Sequence, residues 1–240
     1  MERFAPIVAV DVASPEAARA IFDQFAGVTP APIIKIGMEL FYLAGPQIVR
    51  DARQRGFRVF LDLKLYDIPN TVGRAMHALG RLGASFVTVH AAGGHEMLTA
   101  AQRELTAGAA EAGLPAPNLL AITELTSIDQ EIMNEEQGIP GPVATTVQRY
   151  ARLAEEAGLA GVVCSAQEVA AIREVTGESF YCVTPGIRPA GAAKGDQKRV
   201  VTPHQAHELG ANAIVCGRPI TRAADPVAAY QAIAQEFMEG

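Results

Sequence analysis

Cysteine is scarce in this chain and suggests no chemistry by its spacing. Cys164, Cys182 and Cys216 are the three cysteines in 240 residues. No two form a Cys-x-x-Cys pair, which removes the common zinc and redox frameworks. Each lies in or beside an apolar run, so reduced core thiols are expected. No uninterrupted apolar run approaches about 20 residues, so no membrane span is expected. The first residues lack a basic start, a long apolar stretch and a small-residue cleavage site, and Pro6-Ile7-Val8-Ala9-Val10 reads directly as a strand. Cationic excess is missing too: 20 Lys and Arg face 26 Asp and Glu, for a formal net charge of −6. Such a balance disfavours nucleic acid as a partner but leaves room for a local phosphate site. No glycine-rich dinucleotide fingerprint follows the first apolar run. With no linker, repeat or low-complexity segment, a soluble cytoplasmic protein of one domain, 1–240, is expected.

Hydrophobic residues make up 49% of the chain and charged residues 19%, enough apolar surface for a sizeable core. Short Val-, Ile- and Phe-rich runs alternate with longer, Ala-rich amphipathic ones. The short runs predict eight strands, at 7–11, 33–37, 58–63, 86–90, 118–123, 161–163, 180–184 and 213–216. Helices are predicted from the Ser14 cap to about Phe25, then at 46–55, 69–82, 96–112, 143–157, 166–175, 203–209 and 226–238. Several are followed by glycine, which closes a helix in the left-handed conformation. Eight β-then-α units predict an α/β protein, a (β/α)8 TIM barrel; an open doubly wound sheet is the alternative. The Pro- and Gly-rich stretch 184–196 reads as a long loop after strand 7, of the kind that acts as a lid.

Active sites of such barrels form at the C-terminal ends of the strands. Those ends carry Asp11, Lys35, Asp62, Lys64, His90, Thr123, Thr184 and Gly217. Asp62 and Lys64 are two apart and share one face, while Leu61, Leu63 and Leu65 share the other. An inward Asp-x-Lys needs pairing, and Lys35 and Asp11 on neighbouring strands can supply it. Taken singly, the Asp62 and Lys64 charges also fit a solvated strand-end ion pair, Asp11 a helix cap and Lys35 a rim charge. His90 reads as a hydrogen-bonded barrel histidine, and His77, His95, His204 and His207 as surface residues. After strand 8, Gly217-Arg218-Pro219-Ile220 suits a phosphate: glycine permits close approach, Pro219 starts a helix whose N–H groups face the ligand, and Arg218 adds a fork of donors. A simple Gly-Pro turn is the plainer reading.

Together these residues resemble a known family. Asp62-Leu63-Lys64-Leu65-Tyr66-Asp67-Ile68-Pro69-Asn70-Thr71 is similar to the D-x-K-x-x-D-I-P-N-T signature of orotidine 5′-phosphate decarboxylases. Asp11, Lys35-Ile36-Gly37, Leu125-Thr126-Ser127, Pro185-Gly186-Ile187-Arg188-Pro189, Gly195-Asp196-Gln197-Lys198-Arg199 and Gly217-Arg218-Pro219-Ile220 match in order. The resemblance spans essentially the whole chain. D-x-K-x-x-D alone is shared with other barrel enzymes acting on sugar phosphates; the remaining segments make the match specific.

The resemblance implies a homodimer with two sites at the interface, no metal and no organic cofactor. It implies decarboxylation of orotidine 5′-phosphate to UMP and CO2, the last step of UMP biosynthesis. Lys64 would be the proton donor and Asp62 would lie beside the substrate carboxylate. Asp67 and Ile68 would reach across the interface into the partner's site. Lys35 and Asp11 would contact the ribose and the charged network. Thr71 would join the substrate-binding residues, and Thr126 and Ser127 would lie near the pyrimidine. Arg188, Gln197, Gly217 and Arg218 would hold the phosphate. The nearest rival is a metal-dependent decarboxylase or aldolase of the same superfamily, with carboxylates around Mg²⁺. A barrel that has lost its activity is the rival from another class.

Overall fold

A computed structural model describes residues 2–190 and 200–240. Eight parallel strands close into a barrel in sequential order: β1 (Ile7–Ala9), β2 (Ile33–Gly37), β3 (Arg58–Leu65), β4 (Phe86–His90), β5 (Asn118–Ile122), β6 (Gly161–Val163), β7 (Tyr181–Thr184) and β8 (Ala213–Cys216). The circuit closes where Ile7 pairs with Val215. Around it run α1 (Pro15–Phe25), α2 (Met38–Ala44), α3 (Gln47–Gln54), α4 (Pro69–Gly80), α5 (Gly94–Glu111), α6 (Val143–Glu156), α7 (Val169–Arg173), α8 (Pro203–Glu208), α9 (Arg218–Thr221) and α10 (Pro226–Glu239). No helix among the described residues is long and apolar enough to cross a membrane.

Local sequence accounts for the helix starts. Ser14 Oγ accepts from Ala17 N–H ahead of Pro15, and Asp225 Oδ1 accepts from Ala228 N–H ahead of Pro226. Thr202 and Gln205 form a reciprocal capping box on α8.

Side chains on each strand alternate between two buried layers. Ile34, Ile36, Val59, Leu61, Val87, Leu119, Val162 and Cys182 join the shell between strands and helices. Ile7, Ile33, Phe60, Phe86, Leu120 and Val183 fill the barrel interior, with Phe4 beneath them. Phe4 meets Phe86 edge-on at 5.3 Å, and the Arg58 guanidinium lies 5.2 Å from the Phe4 ring centre. That apolar plug occupies the N-terminal half. Inward positions one residue pair further along carry Lys35, Asp62 and Thr88 instead, so the polar half lies at the C-terminal ends.

Several expected boundaries need correction. β1 stops at Ala9, which leaves Asp11 beyond the ladder. β3 continues to Leu65, and α2 follows β2 directly although nothing in Met38-Glu39-Leu40-Phe41 announced it. The expected helix 166–175 splits into a 3₁₀ turn, Ala166–Glu168, and the short α7. A π-helical turn, Ile132–Glu136, precedes α6. His77 and His207 are half-buried rather than superficial: His77 Nε2 lies 3.0 Å from Glu111, and His207 Nδ1 lies 2.7 Å from the Phe237 carbonyl. Thr123 and Thr184 are fully buried, and their hydroxyls donate to the Val163 and Ala213 carbonyls of the next strands.

Candidate active site

A cavity of about 590 Å³ opens at the C-terminal mouth of the barrel. Asp11, Lys35, Asp62 and Lys64 line it, together with Thr126, Ser127, Arg188, Gly217 and Arg218. Nine of the expected site residues therefore share one space.

The floor is a chain of alternating charges. Lys64 Nζ lies 2.8 Å from Asp62 Oδ2, Lys35 Nζ lies 3.5 Å from the same oxygen, and Lys35 Nζ lies 3.1 Å from Asp11 Oδ1. Lys35 and Asp62 are only 9% and 8% exposed, so each charge depends on its partners. Burial alone would raise the Asp62 pKa. The charges of Lys35 and Lys64 and the hydrogen bonds from Lys64 and Thr88 outweigh it, and the carboxyl stays below its ordinary range. Asp11 pairs with Lys35 instead of capping α1, whose cap is Ser14. Gly37 lies close against this pair. A Cβ there would sit 3.0 Å from Asp11 Oδ1 and 3.3 Å from Lys35 Nζ.

Lys64 does not follow the regular pleat assumed from the sequence. Its φ is 51°, in the left-handed region, and it is the one non-glycine at positive φ among the described residues. Across β3 and β4 the register runs Leu61 to Val87 and then Leu65 to Val89, a bulge that packs three β3 residues against one on β4. Leu63 and Leu65 still face the helices, Leu65 only half-buried.

Other expected residues lie elsewhere. Asp67, Ile68 and Thr71 do not line this chain's own cavity. Asp67 Oδ1 accepts from Ile68 N–H at 2.6 Å, and Ile68 is 65% exposed beside Tyr66 at 63%. Gln197 and residues 191–196 of the expected lid lie outside the described residues. The loop's ends are clipped together, with Arg188 N–H donating to the Val201 carbonyl at 2.9 Å. His90 is half-buried; its Nδ1 accepts from Ala92 N–H at 3.3 Å, and burial, then the nearby Lys64 charge, lowers its pKa. The helix expected after strand 8 is a single turn, and the Ile220 and Thr221 N–H groups turn back on Gly217 O. It lends fewer donors to a ligand than expected.

The cavity also includes Glu124, Thr221 and Arg222, which the sequence reading passed over. Glu124 is 3% exposed, and its Oε2 lies 3.4 Å from Gln137 Nε2. A charge two residues after the apolar run of β5 was a usable signal. Arg222 stands four residues after Arg218, one helical turn along.

A closed parallel barrel with paired lysines and carboxylates at its C-terminal mouth, and guanidinium groups in the same cavity, has the site of a (β/α)8 enzyme. The sequence profile of the "Orotidine 5'-phosphate decarboxylase / HUMPS family" matches residues 5–233, and the chain belongs to that family. It is 56% identical over 234 residues to an orotidine 5'-phosphate decarboxylase of Lactiplantibacillus plantarum, covering 96% of this chain and 97% of the relative. It is 52% identical over 235 residues to one from Cutibacterium acnes, covering 98% and 97%. The crystal structure of orotidine 5'-phosphate decarboxylase from Lactobacillus acidophilus superposes with a TM-score of 0.84 at 44% identity, over 97% of this chain and 98% of that one. The chain is an enzyme of the decarboxylase class.

Proposed function

We propose that this enzyme converts orotidine 5′-phosphate to UMP and CO2 with its own side chains, without metal or organic cofactor, as a homodimer of single-domain barrels. The observation that carries the reading is the Lys64 ammonium held 2.8 Å from Asp62 Oδ2 on the cavity floor, with Arg188 and Arg218 lining the same cavity.

Breaking the bond between C6 and the carboxylate leaves its electron pair on C6, in the ring plane and without π-delocalisation. CO2 departs, and a proton from Lys64 Nζ goes to C6. Solvent then reprotonates the neutral amine. A fixed ammonium stabilises the developing carbanion without reorganising, which is where preorganised charge contributes most. Asp62 holds that ammonium and lies beside the departing carboxylate. Lys35 and Asp11 extend the network toward the ribose, and Thr126 and Ser127 face the pyrimidine. Arg188, Gln197, Gly217 and Arg218 take the phosphate, whose remote binding energy closes the site.

Asp67, Ile68 and Thr71 serve the partner's site. Support comes from their position outside their own cavity and from the exposed Tyr66 and Ile68, large apolar side chains that call for cover. A cytoplasmic setting is part of the same reading, supported by three free thiols.

The test is to add orotidine 5′-phosphate in the presence of EDTA and follow the orotate chromophore. Its loss is expected. A flat trace from well-folded protein overturns the reading, and activity that EDTA abolishes transfers it to the metal-dependent rival.

A further inference from the structure

We infer that Thr88 is a positioning residue for the reaction, its single hydroxyl fixing both the backbone of Lys64 and the carboxylate of Asp62. The inference rests on the proposed roles of those two residues.

Thr88 sits inward on β4, with no exposed surface, between the apolar plug and the cavity floor. Its Oγ1 accepts from Lys64 N–H at 2.9 Å and donates to Asp62 Oδ1 at 3.1 Å. The β3 bulge makes this possible, because it places Asp62 and Lys64 both opposite the one β4 residue between Val87 and Val89. In a regular ladder, Lys64 N–H would bond to a backbone carbonyl. Here its positive φ removes it from the ladder, and the Thr88 hydroxyl is the partner that remains.

A left-handed, non-glycine backbone persists only where its surroundings over-determine it. An N–H left without a partner in this half-buried position would favour return to the extended form, and the ammonium would move with the backbone. The same hydroxyl occupies Oδ1 of Asp62, so Oδ2 faces Lys64 and Lys35. One side chain thus aims the proton donor from behind and orients the carboxylate that holds it. Thr88 does not line the cavity and is not expected to touch substrate.

The test compares wild type with Thr88→Val, which keeps the shape and loses the hydroxyl, and Thr88→Ser, which keeps the hydroxyl. Each is measured for kcat on orotidine 5′-phosphate and for affinity toward UMP. Expected is a kcat at least about tenfold lower for Thr88→Val, the scale of one lost hydrogen bond to a charged group. UMP affinity should stay within about threefold, and Thr88→Ser should stay within about threefold of wild type on both measures. A Thr88→Val kcat within threefold of wild type overturns the inference, as does a Thr88→Ser kcat as low as that of Thr88→Val. If Thr88→Val does not fold, Thr88→Cys replaces it: its weaker sulfur donor and acceptor should give a kcat clearly below that of Thr88→Ser, and equality overturns the inference. A crystal structure of the substituted protein judges the geometry without activity. The Lys64–Asp62 separation should open beyond about 4 Å, or Lys64 should leave positive φ; an unchanged floor counts against the inference. Wild type that fails to turn over orotidine 5′-phosphate defeats the proposed function, and the crystallographic comparison still decides the positioning.

Discussion

Lys64 holds its ammonium 2.8 Å from Asp62 Oδ2 although its own backbone sits at a φ of 51°. The pair is therefore made by local strain that the barrel sustains, and not by the even spacing of a flat strand. On the proposed mechanism, Lys64→Ala removes the charge that stabilises the carbanion and the proton that quenches it. General acid–base groups alone contribute roughly 10²- to 10⁴-fold. The loss in kcat should reach or exceed the upper end of that range while UMP still binds. Steady-state kinetics with calorimetric titration of UMP checks both halves.

Arg218 lines the same cavity as that pair. Removing its guanidinium should cost about 1.5–3 kcal/mol, the usual scale for a hydrogen bond to a charged group. That corresponds to a fall in kcat/KM of roughly 10- to 150-fold for Arg218→Ala. The thermal midpoint should barely move, because Arg218 is exposed. An unchanged kcat/KM would remove Arg218 from the phosphate site.

Gly37 gives a subtler test. Its φ is −89°, which any residue adopts, so Gly37→Ala adds no conformational strain of its own. The added Cβ would stand 3.0 Å from Asp11 Oδ1, tight enough to displace the Asp11–Lys35 pair by a few tenths of an ångström. Expected is a loss of kcat/KM out of proportion to any loss of stability. Kinetics and denaturant unfolding on the same preparation would reveal it, and a variant with native kcat/KM would show that the network tolerates the shift.

Acid stability should carry the signature of Asp62. Its folded pKa is depressed below the ordinary carboxylate value. A depressed carboxyl contributes stability above its unfolded pKa, about 3.9, and loses that contribution as pH falls through the folded value. The stability gap between wild type and Asp62→Asn should therefore be fully present at neutral pH and shrink below about pH 4. Urea unfolding of both proteins across that range measures it. A gap that widens on acidification would contradict the sign.

Much of this was legible beforehand, for identifiable reasons. Val- and Ile-rich runs placed all eight strands, and period-2 alternation placed Asp62 on the inner face; Lys64 lines the same cavity, but through the bulge and its left-handed backbone and not through the pleat. The end of β1 was misplaced because Val10 continues the apolar pattern after the ladder has stopped at Ala9. α2 escaped because Gly37 caps it through backbone conformation, with no side-chain bond to read. The left-handed Lys64 was invisible, since lysine carries no such preference, and the bulge that causes it depends on pairing with β4. Thr88 looked like one more β-branched strand residue in Phe86-Val87-Thr88-Val89-His90. Only the register shows that its hydroxyl meets two residues of the motif on the preceding strand.

The proposed dimer makes a prediction about mixtures. Asp67 accepts a hydrogen bond from Ile68 N–H and lies outside its own cavity, so a one-chain site would leave it without a catalytic role. If each site takes Lys64 from one subunit and Asp67 from the other, Lys64→Ala and Asp67→Ala proteins should each be nearly inactive alone. Mixed and allowed to exchange, half of the dimers become heterodimers by random pairing. In each of these, one site carries both defects and the other carries neither. About a quarter of all sites should then be native, and activity should recover toward about a quarter of the wild-type value as subunits exchange. Recovery should be abolished by crosslinking each homodimer before mixing. A mixture that stays as inactive as its components, with exchange confirmed by mass spectrometry, would place Asp67 and Lys64 in the same subunit's site or remove Asp67 from catalysis.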